Sequence, residues 1–129
     1  MNQSLKRELA EIALYMESQG IDLQPYPSIK LTNVLTQPGI YANTGYYDPD
    51  KKLIVLYTSN RHMKDILRSY AHELIHHNQN LQGRLIPAMS ETSDPKYAQN
   101  NKQLRRLEIE AYAKGNMLFR DWTDNKNYN

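Results

Sequence analysis

The sequence predicts an α+β domain, and three observations carry that expectation. An amphipathic helical period opens the chain, short strand-like segments with turn chemistry occupy residues 29 to 57, and two long helical periods fill most of the remainder.

Each element has its own residue-level reason. Ser4 is suited to an N-cap, Leu5, Leu9, Ile12, Ala13 and Met16 follow at helical spacing, and Gly20 supplies a stop. This helix is expected to cover a small mixed or antiparallel sheet. Pro25 and Pro27 mark an extended linker. Alternation through Ile29-Lys30-Leu31 reads as a strand running to about Val34, and Ile40-Tyr41-Ala42, after Pro38-Gly39, reads as a second short one. Gly45-Tyr46-Tyr47 and Leu53 to Tyr57 flank Asp48-Pro49-Asp50-Lys51-Lys52, which has hairpin-turn chemistry. A helix is expected from Ser59 or Asn60 to about Asn80, with Met63, Ile66, Leu67, Tyr70, Ala71 and Leu74 on its buried side. Residues 81 to 100 are polar and broken by Gly83, Pro87 and Pro95, the character of a mobile lid. The helical period returns from Asn101 to Trp122. One domain over 1–122 and a disordered tail over 123–129 follow.

Composition narrows the functional classes. At 129 residues the chain has room for one core. Hydrophobic residues make up 40% and mean hydropathy is −0.78, so a polar globule without membrane spans is expected. No apolar stretch of signal-peptide type follows Lys6-Arg7, which makes the cytosol the expected compartment. Without cysteine there is neither a disulfide nor a thiolate ligand, so a metal would have to be held by histidine and carboxylate. Net charge is only +2, and the basic doublets Lys51-Lys52 and Arg105-Arg106 lack interleaved aromatics, which argues against a nucleic-acid groove. Ten tyrosines against one Phe and one Trp fit a polar recognition cleft.

The chemistry concentrates in His72-Glu73-Leu74-Ile75-His76, an HExxH sequence on a helix. Histidines four apart stand one above the other on a helical face, so both imidazoles reach one ion. Glu73 lies beside them, placed to act as a general base towards a water at the metal. These three fall opposite the buried side of the helix, with Asp65 and Ser69 above them, so the helix turns one face to the sheet and the other to a cleft. His77 points about 100° away and is expected to be a bystander.

A catalytic zinc needs a third protein ligand. Downstream carboxylates are Glu91, Asp94, Glu108, Glu110 and Asp121. Leu104, Leu107, Ala111, Leu118, Phe119 and Trp122 define the buried stripe of the last helix, and Glu108 falls within it, whereas Glu110 falls on the side expected to be solvated. A carboxylate on an apolar stripe is costly unless a cation meets it, either a metal or an arginine such as Arg68. Ala111 and Gly115 are small enough for close helix approach, and a mid-helix glycine costs about 1 kcal/mol, which points to a packing role. The extended HExxHxxGxxH form would require Gly at position 79 and His at 82, but both are Gln. Peptide deformylase completes its site with a cysteine, which this chain lacks; of the remaining histidines, His62 precedes the motif, His77 points aside, and none follows His77.

With His72-Glu73-x-x-His76 and Glu108-Ile109-Glu110-Ala111, the chain resembles the gluzincin zinc metallopeptidases, whose HExxH is followed by a helix carrying ExxA or ExxS. It looks most like minimal single-domain members of ImmA/IrrE type and, more loosely, SprT-like domains, over roughly residues 40 to 119. Small peptidases of this look are common in phage genomes. The resemblance implies a zincin-like fold, zinc held by His72, His76 and Glu108, Glu73 as general base, and a peptide or protein substrate extended along the sheet edge near Gly39 to Tyr47. Many gluzincins carry Asp one residue after the Ala of ExxA as partner of a ligand histidine. Here that position is Tyr112, whose hydroxyl is then a candidate to accept from an imidazole or to donate to a substrate oxyanion. Two other functions share these residues: a zinc-containing binding or regulatory module without turnover, and a zinc hydrolase of a non-peptide amide.

Overall fold

A computed structural model describes residues 2–33, 44–85 and 97–127, which form three helices and one three-stranded sheet, an α+β arrangement. Helix α1 (Asn2–Ser18) buries Leu5, Leu9, Ile12, Ala13 and Met16, the residues at helical spacing. It begins at Asn2, so Ser4 lies inside the helix instead of capping it. Gly20 follows at φ +94°, and the amide of Ile21 returns to the Met16 carbonyl, closing the helix end.

Strands β1 (Ser28–Thr32), β2 (Gly45–Asp48) and β3 (Leu53–Tyr57) are ordered β1-β3-β2. β3 is parallel to β1, with Ser28 opposite Leu53 and Thr32 opposite Tyr57, and antiparallel to β2, with Gly45 opposite Leu56 and Asp48 opposite Leu53. The sheet is therefore mixed. The central place falls to Leu53–Tyr57, the most apolar strand, whose Ile54 and Leu56 enter the main core while Val55 and Tyr57 are buried on the other face. At the β2–β3 turn the Asp48 carboxylate accepts from the amides of Asp50 and Lys51, and Lys52 takes φ +49°. Gly45 needs to be glycine: its φ is +152°, and a Cβ there would lie 2.4 Å from the Val55 carbonyl oxygen. The expected strand at 40–42, and Val34 with it, lie outside the described residues.

Helix α2 (Met63–Leu81) starts after His62, three or four residues later than expected, because Ser59 and Asn60 form a turn with Asn60 at φ +57°. Helix α3 (Tyr97–Asn127) departs further from expectation. It takes in residues 97–100, the end of the expected lid, while residues 86–96 of that lid, Glu91 and Asp94 among them, lie outside the described residues. It also continues through residues 123–127, which were expected to be disordered. Thr123 Oγ1 donates to the Phe119 carbonyl, and Lys126 pairs with Glu8 and Glu11 of α1 and lies 4.9 Å from the centre of the Trp122 ring. A polar composition hid a terminal turn held by contacts 118 residues away in sequence.

The most extensive helix contact is α2 against α3. Its closeness has a local cause. A Cβ on Gly115 would lie 3.0 Å from the Cα of His72 and 3.3 Å from the carbonyl carbon of Ala71, so a larger residue would push the two helices apart. Leu107, Ala111, Leu118, Phe119 and Trp122 are buried along the same stripe. None of the described helices is long and apolar enough to cross a membrane.

Candidate metal centre

Close packing of α2 on α3 brings His72, His76 and Glu108 together. Glu108 Oε1 stands 3.0 Å from His72 Nε2 and 3.2 Å from His76 Nε2, and the potential ligand atoms all lie within 4.8 Å of one another. An ion held tetrahedrally at about 2 Å separates its ligand atoms by about 3.3 Å. Both carboxylate–imidazole distances are close to that spacing, and the three ligand atoms together could hold a divalent ion. The alternative neutralisation by arginine is not what forms: Arg68 pairs with Asp65 at 2.8 Å and lies over the Phe119 ring.

These groups line a cleft of about 1060 Å³ between the β2 edge and the two helices. Thr44 to Tyr47 form one wall. Leu85, Leu104 and Leu107 line an apolar part, and Asp65, Arg68, Ser69 and Asn116 a polar part. Arg61 holds the frame of the polar part. Nη1 donates to the carbonyls of Thr44 (3.0 Å) and Tyr57 (2.9 Å), while Nη2 donates to the Asp65 carbonyl (2.9 Å) and Ser69 Oγ (2.7 Å).

Electrostatics follow from this packing. Hydrogen bonds from His72 and His76 hold the Glu108 carboxyl well below the usual carboxylate range, although the side chain is partly buried. Burial alone would depress His76, but its hydrogen bond to Glu108 and the charges of Glu73 and Glu108 outweigh that and raise it. Glu73 is buried, and this desolvation raises its carboxyl, against the opposing pull of His76 and His72. A carboxylate with raised proton affinity beside a cluster of ligands is suited to accepting a proton from water.

Tyr112 stands at the rim. Its ring meets His72 edge-on at 5.5 Å between centroids, and the residue is 66% exposed. Among the described residues its hydroxyl makes no hydrogen bond to an imidazole, the role the sequence offered it.

Glu110 corrects the sequence reading most directly. It is not on a solvated side: its side chain is 24% exposed, against 60% for Glu108. It accepts from both terminal nitrogens of Arg84 and from Gln79 Nε2, and these bonds, Arg84's first, lower its carboxyl. Gln79 in turn meets His76 Nδ1 at 2.9 Å. Sequence reasoning overlooked Gln79, although its position three residues after His76 places it over the same helical face. His77 lies apart from the His72–His76–Glu108 group. It is fully buried, with Tyr47 Oη at 2.7 Å from Nδ1 and the Pro25 carbonyl at 2.7 Å from Nε2. Compared with known proteins, the chain matches no family model, no curated protein and no solved structure.

Proposed function

We propose that this protein is a cytosolic zinc-dependent peptidase of gluzincin type with a zincin-like fold. The reading rests on one observation: two histidines and a glutamate from separate helices converge their ligand atoms in an open cleft, beside a buried glutamate from the same HExxH turn. Zinc suits two imidazoles and one carboxylate without thiolate, and when bound it supplies Lewis acidity and lowers the pKa of water in the site.

The protein's own groups supply the remaining chemistry. His72, His76 and Glu108 fix the position of the ion relative to the cleft. Glu73 accepts a proton from the attacking water and returns it to the amine that leaves, a transfer favoured by its raised pKa. A substrate segment lies extended along β2, whose residues Gly45 to Tyr47 line the cleft, with backbone hydrogen bonds giving affinity. Tyr112, exposed at the rim, is positioned to donate to the oxyanion that develops as the carbonyl is attacked.

Glu73→Gln tests the reading. The variant should keep zinc and the folded state, while hydrolysis of a denatured-protein panel falls about 10²- to 10⁴-fold. Undiminished cleavage would refute the general-base role of Glu73, and a wild type that binds zinc and cleaves nothing in the panel would refute peptidase activity. The second result would favour a metal-containing binding module.

A further inference from the structure

Gln79 is fully buried, and its hydrogen bonds determine which way its amide points. Nε2 lies 2.9 Å from the Leu107 carbonyl oxygen and 3.0 Å from Glu110 Oε1, and both of these groups only accept. A reversed amide would set an oxygen against two acceptors. The nitrogen must therefore face α3, and Oε1 must face His76 Nδ1 at 2.9 Å. An amide oxygen only accepts, so His76 Nδ1 carries a proton. The lone pair of a neutral His76 is then on Nε2, the atom that faces Glu108 and the cleft. Glu110 is itself fixed by Arg84, at 3.1 Å to Oε1 and 2.9 Å to Oε2.

We infer that Gln79, backed by Glu110 and Arg84, is the positioning residue that holds His76 in the Nδ1–H tautomer and presents its Nε2 to the metal. This rests on the metal reading above and extends it to groups outside the ligand set. The position after Ala111, where gluzincins offer a carboxylate, is an exposed tyrosine that does not do this work. The structure supplies the support from the other helix, as an amide polarised by a charged Arg84–Glu110 pair. An amide is a weaker acceptor than a carboxylate, and the negative charge behind it compensates.

Zinc affinity by chelator competition tests this, with a proton–nitrogen correlation spectrum of the zinc-loaded protein as a second readout. Wild type should bind one zinc and show a protected proton on His76 Nδ1. Gln79→Leu should bind zinc about 10- to 100-fold more weakly. Gln79→Glu combined with Glu110→Gln keeps an acceptor at His76 and a donor at position 110 but sets a carboxylate oxygen against the Leu107 carbonyl, so affinity should recover part of the loss seen in Gln79→Leu and stay below wild type. A purely structural role for Gln79 would not distinguish these variants once both are shown to be folded. If Gln79→Leu fails to fold, the His76 Nδ1 proton of wild type still decides. Equal affinity of wild type and Gln79→Leu, or zinc on His76 Nδ1, overturns the inference and leaves the metal site standing. A wild type that binds no zinc overturns both.

Discussion

Replacing Gly115 by alanine separates two opposed effects, and the sign of the outcome identifies the winner. In an unobstructed helix interior the change stabilises by about 1 kcal/mol, because alanine loses less backbone entropy. Here the new methyl carbon would meet three backbone atoms of α2: the Cα of His72 at 3.0 Å, its nitrogen at 3.1 Å and the carbonyl carbon of Ala71 at 3.3 Å. Favourable carbon contacts lie at about 3.5–4.0 Å, so the helices must separate by a few tenths of an ångström. Backbone atoms of a packed helix cannot swing aside as a flexible side chain would. Inserting a methyl group into such a contact costs about 1–3 kcal/mol, which leaves a net loss of up to about 2 kcal/mol after the propensity gain. The consequence reaches the ligands, because Gly115 lies two turns beyond Glu108 on α3 and packs against His72 itself. Metal sites tolerate ligand displacements of only about 0.2 Å, so zinc affinity should fall together with stability. Denaturant unfolding of the chelated protein measures the first effect, and chelator competition the second. A Gly115→Ala variant that is more stable than wild type and binds zinc equally well would refute the close-packing argument.

Two further substitutions address the groups around the cleft. Glu108→Gln should abolish stoichiometric zinc binding and lower the proton affinity of His76 in the metal-free protein, since the bond to Glu108 is the largest influence raising it; retained zinc by elemental analysis would remove Glu108 from the ligand set. His77→Leu should destabilise by about 2–4 kcal/mol, because the Tyr47 hydroxyl and the Pro25 carbonyl each lose a buried partner. Burial depresses His77 below its ordinary value, so its contribution is fully present above pH 6.5 and declines as pH falls below that. The stability gap between wild type and His77→Leu should therefore narrow on acidification from about pH 6.5, and a gap that widens in denaturant titrations would contradict the assignment.

Much of this arrangement was legible because it depends on one periodicity at a time. The stripe of α1, the alternation in β1, the Asp48–Lys52 turn and the i,i+4 histidines are local patterns, and each element formed where its pattern lies. Glu108 was legible for the same reason, since a helical wheel places it on the side of Leu104 and Ala111. The misreadings arise where a partner on another element decides. Glu110 is polar and lies off the apolar stripe, which on an isolated helix means solvent, but Arg84 and Gln79 meet it there. The last turn of α3 lacks apolar spacing and is held by Lys126 against α1. Buried His77, Asn78 and Gln79 form the same kind of case, polar residues satisfied by the Pro25 and Asp22 carbonyls and by α3. No window on the sequence contains both members of such pairs.

Arg61 has a consequence for how the cleft can change. Its planar guanidinium joins the end of β2 and the end of β3 to the first turns of α2, with all four acceptors at 2.7–3.0 Å. A planar fork cannot lengthen, so it works as a calliper that sets the gap between the strand wall and the helix bearing His72 and His76. Lysine at this position would keep the charge and lose the fixed span, because a single ammonium on a flexible stem cannot hold four acceptors on two sides. The width of the entrance is thus decoupled from the residues that would do the chemistry. Altering Arg61 would change the gap between β2 and α2 while the His72, His76 and Glu108 side chains stay where the Gly115 contact holds their helices.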